Sequence, residues 1–239
     1  EFEQMEMQFF CKPGTEKEWY EHWKAWRMKW HETLGAQSSK LRYHDHVKLA
    51  HYANAAVDIE YEFPFGFKEV EGIHSRTDFD LKQHEEFSGK KLRYFDAESN
   101  ESYVPYVVET SIGLDRLFLM TLSEAYTEEN VNGDTRTVLK LHPAIAPIQC
   151  AILPLVKKDG LPELAEKIYQ DLRFDFNVFI EDKDSIGKRY RRMDALGTPF
   201  CVTVDHDSLT NGDVTLRHRD SMEQERISIE KLADIIRDQ

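Results

Sequence analysis

The sequence lacks the features that mark membrane proteins, disulfide frameworks and P-loop enzymes. No apolar run approaches the roughly 20 residues that a membrane-spanning helix needs. Cysteine occurs only at Cys11, Cys150 and Cys201, never as a C-x-x-C pair, which argues against disulfides and a cysteine zinc site and favours the reducing cytoplasm. Neither a G-x-x-x-x-G-K-[ST] nor a G-x-G-x-x-G segment is present, so a bound nucleotide would need another kind of site. The G-x-S-x-G segment of serine hydrolases is also missing.

Positive charge is also scarce. The chain has 31 Lys and Arg against 44 Asp and Glu, a net charge of −13, which argues against bulk nonspecific binding of nucleic acid. One basic cluster interrupts this pattern around Tyr190, and its members are Lys188, Arg189, Arg191 and Arg192. The cluster is either a solvated helix face or the best candidate for contact with RNA phosphates.

The first part of the chain mixes helical and strand patterns. Tryptophans at spacings of four, three and four predict a helix from Thr15 to Gly35, with Thr15 and Glu18 at capping-box spacing and the tryptophan stripe packed in the core. A second helix is expected over residues 45–59, and strands over residues 69–74 and 102–111. The polar segment 127–137, which contains an Asn-Gly pair, is typical of a surface loop.

A change of pattern near residue 142 predicts two domains, residues 1–142 and 143–239. The second part alternates short apolar strands with helices and is typical of a small α/β domain. Its predicted strands cover residues 150–154, 177–180, 200–204 and 214–218, and its helices cover 161–172, 186–195 and 229–237. The chain starts at Glu1 inside the strand-like run EFEQMEMQFF, so we expect a piece of a longer protein.

Acidic residues recur among the apolar residues of the predicted strands: Glu3, Glu6, Glu69, Glu71 and Glu109. Such acids either line a polar cleft or form the wet face of an antiparallel sheet. Together with Arg76 and Arg116 they favour a pocket for a ligand that carries both an amine and phosphates. His44 and His46 have no third ligand at metal-ligand spacing, so no zinc site is expected.

Four segments in order resemble glycyl-tRNA synthetases of the homodimeric class II type: EFEQMEMQFF, KEVEGIHSRTDFDL, YVPYVVETSIGLDRLFL and the run from IGKRYRRM to SIEKL. EFEQME resembles the second strand of class II motif 2, and GLDR at residues 113–116 resembles motif 3. The resemblance implies part of an antiparallel-sheet catalytic domain over residues 1–142. It also implies a small α/β anticodon-binding domain with a mixed sheet over residues 143–239.

The resemblance also implies an activity. Members of the family activate glycine with ATP and Mg²⁺ and transfer it to tRNA(Gly), without zinc and without a membrane, in the cytoplasm. The full-length protein is expected to be a homodimer. Motif 1 and the first strand of motif 2 would precede Glu1, so this chain by itself is expected to be monomeric and inactive.

Site residues follow from the matching positions. Arg116, Glu109 and Glu6 are expected to be catalytic: Arg116 grips the terminal phosphates, and the two acids hold the glycine ammonium. Phe2 would stack on adenine, Arg76 would face the carboxylate, and Ser111 would leave no room for a side chain. The full glycine pocket is implied at Phe2, Glu3, Gln4, Met5, Glu6, Arg76, Glu109, Thr110, Ser111, Ile112 and Gly113. The ATP site is implied at Glu1, Phe2, Glu69, Val70, Gly113, Leu114, Asp115 and Arg116.

Two alternatives remain. A non-catalytic relative, such as the accessory subunit of mitochondrial DNA polymerase, would bind only nucleic acid, but it is expected to lose residues that are retained here, namely Arg116, Glu6, Glu109 and Ser111. Another class II synthetase, specific for threonine, proline or histidine, is the second alternative. Threonine enzymes need metal-binding Cys and His residues that the sequence does not offer.

Overall fold

The computed structural model describes residues 3–238. The chain divides into two compact units, Glu1–Ser123 and Glu124–Gln239. The boundary expected near residue 142 therefore falls inside the second unit. The reason is a hairpin after residue 125 that packs against a helix of that unit.

A five-stranded antiparallel sheet forms the first unit. Its strands are β1 (Gln4–Cys11), β2 (Leu41–Asp45), β3 (Ala55–Phe63), β4 (Gly66–Thr77) and β7 (Tyr106–Gly113). They lie side by side in the order β1-β7-β4-β3-β2. The helices are α1 (Glu16–Thr33), α2 (Phe79–Ser88) and α3 (Leu114–Ala125), of which α3 runs on into the second unit. A small hairpin of β5 (Tyr94–Asp96) and β6 (Glu101–Tyr103) completes it. The predicted strand 102–111 is thus divided between β6 and β7.

Helix α1 covers one face of this sheet, where Tyr20 packs with Val57, Ile73 and Val108 in the core. The predicted helix is confirmed, but its capping box is not formed, because the Thr15 hydroxyl donates to the Lys12 carbonyl. The prediction that all the tryptophans are core residues is wrong. Trp23 packs against the core, whereas Trp19 and Trp26 are exposed.

The helix expected over residues 45–59 is also wrong. This segment forms the end of β2, a bend and the first part of β3. The alanines near residue 55 suggested a helix, but the run from Val57 to Phe63 alternates in polarity and pairs along its length with β4. Tertiary pairing therefore outweighed the local helix propensity of the alanines.

The segment expected to be a loop at residues 127–137 is a β-hairpin of β8 (Tyr126–Val131) and β9 (Asp134–Leu139). Its turn consists of Asn132 and Gly133, with φ angles of 55° and 90°. Two central residues with positive φ are typical of the hairpin turn that an Asn-Gly pair favours. The polar composition suggested a loop, whereas the Asn-Gly pair at residues 132–133 indicated a hairpin turn between two strands.

The second unit contains a mixed five-stranded sheet in the order β11-β10-β12-β13-β14. β10 (Cys150–Pro154) is parallel to β11 (Val178–Ile180) and β12 (Phe200–Val204), and β12 to β14 are antiparallel, with β13 at Asp213–His218 and β14 at Gln224–Ser228. The helices are α4 (Leu161–Leu172), α5 (Ile186–Leu196), α6 (His206–Asn211) and α7 (Leu232–Arg237). β10 and β12 are fully buried, as central parallel strands require. Among the described residues, no helix has both the length and the apolar character needed to cross a membrane.

An ionic cluster holds the hairpin within the second unit. Asp194 of α5 is fully buried and accepts hydrogen bonds from Arg136 Nε at 2.9 Å and from Arg217 Nη1 and Nη2 at 2.8 and 3.0 Å. Arg136, on β9, also donates to Glu129 at 2.6 Å. The Asp194 carboxylate therefore joins β9 and β13 to α5, and Arg136 joins β8 to the same cluster through Glu129.

Candidate active site

Strand pairing builds a polar row across the first sheet. Asp58, Gly72, Ser111 and Glu6 lie opposite one another in turn on β3, β4, β7 and β1. The neighbour of Gly72, Glu71, bonds to residues of α1, so the alternation of β4 puts this row on the face away from α1. Ser111 Oγ lies 3.4 Å from Glu6 Oε1 on that face.

Glu109 is the centre of the next row, two residues along. His74, Glu109 and Gln8 lie opposite one another on β4, β7 and β1. Gln8 Nε2 donates to Glu109 Oε2 at 2.5 Å, and Arg76 Nη1 donates to Oε1 at 2.8 Å. Only 8% of Glu109 is exposed. A carboxylate so nearly buried, with polar partners on both sides, is suited to holding a cationic group.

Arg76 is fixed from three sides. Besides Glu109, it contacts Asp80 Oδ2, which accepts from its Nε at 2.9 Å, and the Tyr52 ring, whose centroid lies 4.4 Å away. Burial alone would lower the pKa of Arg76, but the hydrogen bonds to Asp80 and Glu109 outweigh it and raise the pKa. The guanidinium is therefore charged and already engaged, so its contact with a substrate carboxylate stays a prediction.

The backbone around Arg76 is irregular. The pairing of β4 with β7 shifts between Ser75 and Thr77, and Thr77 has a φ of 59°. A positive φ is costly for a β-branched residue, and bulges of this kind redirect side chains beside functional sites. The irregularity turns the chain from β4 into α2 and brings Asp80 next to Arg76.

His74, on β4, lies between Glu109 of β7 and strand β3. Burial lowers its pKa, while the neighbouring Glu109 carboxylate acts in the opposite direction. The lowered pKa keeps the imidazole neutral at pH 7, with one ring nitrogen able to accept.

The structure also brings two of the predicted ATP residues together. Arg116, in the first turn of α3, donates from Nη1 to the Glu69 carbonyl at 3.1 Å and lies 3.5 Å from Glu69 Oε2. Leu114 and Asp115 precede it as the first two residues of α3 and follow Gly113, the last residue of β7, which pairs with Gln4. Glu1 and Phe2, expected at the ATP and glycine sites, lie outside the described residues.

Strand alternation reduces the number of predicted pocket residues whose side chains can contact a ligand. The side chains of Thr110, Ile112 and Val70 are buried, and Val70 packs in the core beneath α1. Glu3 and Met5 alternate along the chain with Gln4 and Glu6, which lie on the face away from α1. We correct the prediction accordingly: because strand residues alternate between faces, Thr110 and Ile112 can reach a ligand on the face that carries Glu6 only through their backbone. Val70 lies where the pairing of β3 with β4 shifts, and its side chain packs in the core.

Glu71 is a further correction to the predicted acid cleft. It is fully buried against α1, where Arg27 Nε donates to it at 2.5 Å and His31 Nε2 lies 2.7 Å away. A buried carboxylate with these two partners joins the helix to the sheet. It does not face the row that contains Glu6.

The basic cluster lies on α5 and is mostly engaged within the protein. Arg189 is buried and donates to the carbonyls of Pro154 and Glu181 at 2.8 and 3.0 Å, and burial lowers its pKa. Arg192 pairs with Glu181 and Asp184. Arg189 is therefore corrected from a tRNA candidate to a structural residue, and Lys188 is the exposed member of the cluster.

Three residues of the site were missed from the sequence: Gln8, His74 and Asp80. Gln8 is two residues from Glu6, and the alternation of a strand was the signal that could have found it. Asp80 is four residues from Arg76, and the two residues lie on either side of the point where the chain passes from β4 into α2. His74 had no sequence signal, since its neighbours come from other strands.

Comparison with known proteins shows which family the chain resembles. A family model described as "Anticodon binding domain" matches residues 149–239. The chain is 56% identical over 237 residues to a glycine–tRNA ligase of Chlorobaculum tepidum, with 99% of this chain and 50% of the relative aligned. A glycine–tRNA ligase of Treponema denticola is 57% identical, with 95% and 52% aligned, and one of Borrelia hermsii is 56% identical, with 99% and 55% aligned.

The antiparallel sheet and the unit that matches an anticodon-binding domain fit part of a class II aminoacyl-tRNA synthetase. Within that class the chain belongs to the glycine–tRNA ligase family. It spans about half the length of the curated relatives that it matches.

Proposed function

We propose that this chain is the part of a glycine–tRNA ligase that holds glycine and reads the tRNA. The reaction is the ATP-dependent formation of glycyl-adenylate, followed by transfer of the glycyl group to tRNA(Gly). The nearly buried Glu109, between Gln8 and Arg76 on an open sheet face, is the observation that carries the proposal.

Glu109 and Glu6 would bind the ammonium group of glycine. Both lie on the face away from α1. Glu109 is nearly buried, and an ion pair with a poorly hydrated carboxylate is stronger than one in water. The glycine carboxylate would then attack the α-phosphorus of ATP, which arrives as its magnesium complex, and pyrophosphate would leave. The protein supplies mainly position and charge to this step.

Arg116 would hold the terminal phosphates at the other end of the site. Its place in the first turn of α3, beside Glu69, gives a half-exposed guanidinium next to the end of β7. Guanidinium groups are suited to phosphate because they offer several donors in one plane. Retention of Arg116 with Glu6 and Glu109 favours this activity over a relative that only binds nucleic acid.

The second unit would recognise the anticodon of tRNA(Gly), with residues 143–239 as the anticodon-binding domain. The match to an anticodon-binding model supports this assignment. Lys188 and Arg191 of α5 are the basic residues we propose for phosphate contacts. We also propose a cytoplasmic homodimer for the full-length protein.

Glu109→Gln tests the proposed function directly. In a full-length ligase that carries this chain, the substitution keeps the shape and removes the charge. We expect kcat/KM for glycine in ATP–pyrophosphate exchange to fall about 10- to 100-fold, since a hydrogen bond to a charged group contributes about 1.5–3 kcal/mol. Glu62→Gln, an exposed acid on β3, is the matched control and should leave exchange unchanged. Equal exchange by the two variants, or a preference of the unmodified ligase for another amino acid, would contradict the proposal.

Ser111→Gly tests how the pocket excludes larger amino acids. Removing the hydroxymethyl group opens space beside Glu6 for one methyl group. We expect alanine-dependent exchange to rise about tenfold relative to glycine, because one methylene changes discrimination by about 1–3 kcal/mol. Ser102→Gly, on β6, serves as the control for a strand glycine. A constant alanine-to-glycine ratio would show that Ser111 does not limit the pocket.

A further inference from the structure

Three potential metal ligands meet beside the acidic face of the first sheet. His46 follows β2, Asp58 lies on β3 and His74 on β4, and one ligand atom of each lies within 4.8 Å of the other two. His46 Nε2 is 2.8 Å from Asp58 Oδ2. The two imidazole rings are 5.9 Å apart at an angle of 75°. Small side-chain movements would place each of these atoms roughly 2.0–2.2 Å from a zinc ion held between them, which is the usual zinc–ligand distance.

The strand register creates this meeting. Asp58 lies directly opposite Gly72, two residues before His74 on β4. A Cβ atom at residue 72 would lie 2.7 Å from His74 Cε1, so a side chain there would displace the ring. The glycine therefore allows the imidazole to lie across the strand, next to the carboxylate of β3.

His74 also has an unsatisfied polar atom. Its Nδ1 is buried and makes no hydrogen bond among the described residues. The Glu109 Oε1 atom lies 3.8 Å from it, beyond hydrogen-bond distance. A buried nitrogen without a partner is costly, which is why such atoms deserve a ligand-based explanation. The three side chains keep 14–33% of their surface exposed, so an ion can enter from solvent.

We propose that His46, Asp58 and His74 bind one Zn²⁺ ion, with water in the fourth position. Two imidazoles and one carboxylate are a donor set that suits zinc, whereas Mg²⁺ prefers oxygen ligands. Arg76 is close, but its charge is balanced by Glu109 and Asp80. The ion would fix the segment after β2 against β3 and β4, at the border of the glycine pocket. This site is independent of the ATP-binding residues.

The sequence argued against zinc because His44 and His46 lacked a third ligand nearby. Folding supplies that ligand from β4, and the partner of His44 is instead Glu60, at 2.8 Å. Cysteine is not involved, because the three thiols are buried and none belongs to the cluster. Sequence spacing alone does not detect ligands that come from two strands and the segment after a third.

Zinc binding to this chain tests the proposal. The protein, without a polyhistidine tag and freed of metal with a chelator, is titrated with Zn²⁺ in a calorimeter and with Co²⁺ in a visible spectrometer. We expect one Zn²⁺ per chain and Co²⁺ bands without a thiolate charge-transfer band. His46→Ala and His74→Ala should each weaken binding at least tenfold, and His84→Ala, an exposed histidine on α2, should bind as the unmodified chain does.

Far-UV circular dichroism checks that each variant is folded, and Asp58→Asn gives a variant of unchanged shape if an alanine variant unfolds. Asp58→Asn should also weaken binding at least tenfold. The proposal is overturned if the unmodified chain binds no stoichiometric zinc, if a thiolate band appears, or if the folded variants bind as tightly as the His84→Ala control. None of these readouts depends on ligase activity.

Discussion

Arg116→Ala should reduce glycine-dependent ATP–pyrophosphate exchange about 100- to 1000-fold in a full-length ligase that carries this chain. The expected loss corresponds to about 2.7–4 kcal/mol, the typical effect of removing one preorganised donor that acts on charge developing in a transition state. The side chain is 46% exposed, so its removal should change the stability of the fold little. Arg116→Lys keeps the charge but not the planar group. Its exchange rate should therefore lie between that of the unmodified ligase and that of Arg116→Ala.

Arg93→Ala is the matched control for this substitution. Arg93 is also a half-exposed arginine of the first unit, and it pairs with Glu85 at 3.2 Å. Its removal should leave exchange within about twofold, since surface ion pairs contribute about 0–1 kcal/mol. Thermal unfolding of both variants separates a catalytic loss from a folding loss. If Arg116→Ala retains exchange within a few-fold of the control, the proposed phosphate contact is wrong.

Elements with one strong local pattern could be predicted from the sequence. The helix that begins after Thr15 and the apolar strands β10 and β12 lie where periodicity predicted them. The hairpin β8–β9 was missed, although the Asn132–Gly133 turn carried the correct signal. The segment around Ala55 was predicted with the wrong period because helix-forming alanines precede an alternating strand. Pairing with β4, which decides that segment, is a long-range interaction.

The candidate site was predicted at the level of residue types and only partly at the level of contacts. Glu6, Glu109 and Ser111 share one face of the sheet, and their role in binding glycine stays a prediction. Glu71 appeared equivalent to them in the sequence, but the register places it against α1. Which face an acid occupies depends on strand order and bulges, and a single sequence does not reveal either.

The ionic cluster around Asp194 had no signature in the sequence, because Arg136 and Arg217 are separated from Asp194 by long stretches of chain. Asp194 is fully buried, and side chains of both arginines are almost completely buried as well. Replacing the carboxylate would leave two buried guanidinium groups around an empty space. Among residues 3–238, Arg136 would retain an acidic partner, Glu129, and Arg217 would not. Breaking a buried pair in this way typically costs about 3–5 kcal/mol.

Asp194→Ala should therefore destabilise the second unit by about 3–5 kcal/mol and leave the first unit unaffected. The four tryptophans all lie in α1, so tryptophan fluorescence during urea unfolding follows the first unit alone. Hydrogen–deuterium exchange of peptides from β9, α5 and β13 follows the second. Asp171→Ala, an exposed acid on α4, is the control and should change stability by less than about 0.5 kcal/mol. If hydrogen–deuterium exchange in β9 and β13 is the same in Asp194→Ala as in the Asp171→Ala control, the cluster does not hold the hairpin in place. A shift of the tryptophan transition would instead show that the two units unfold together.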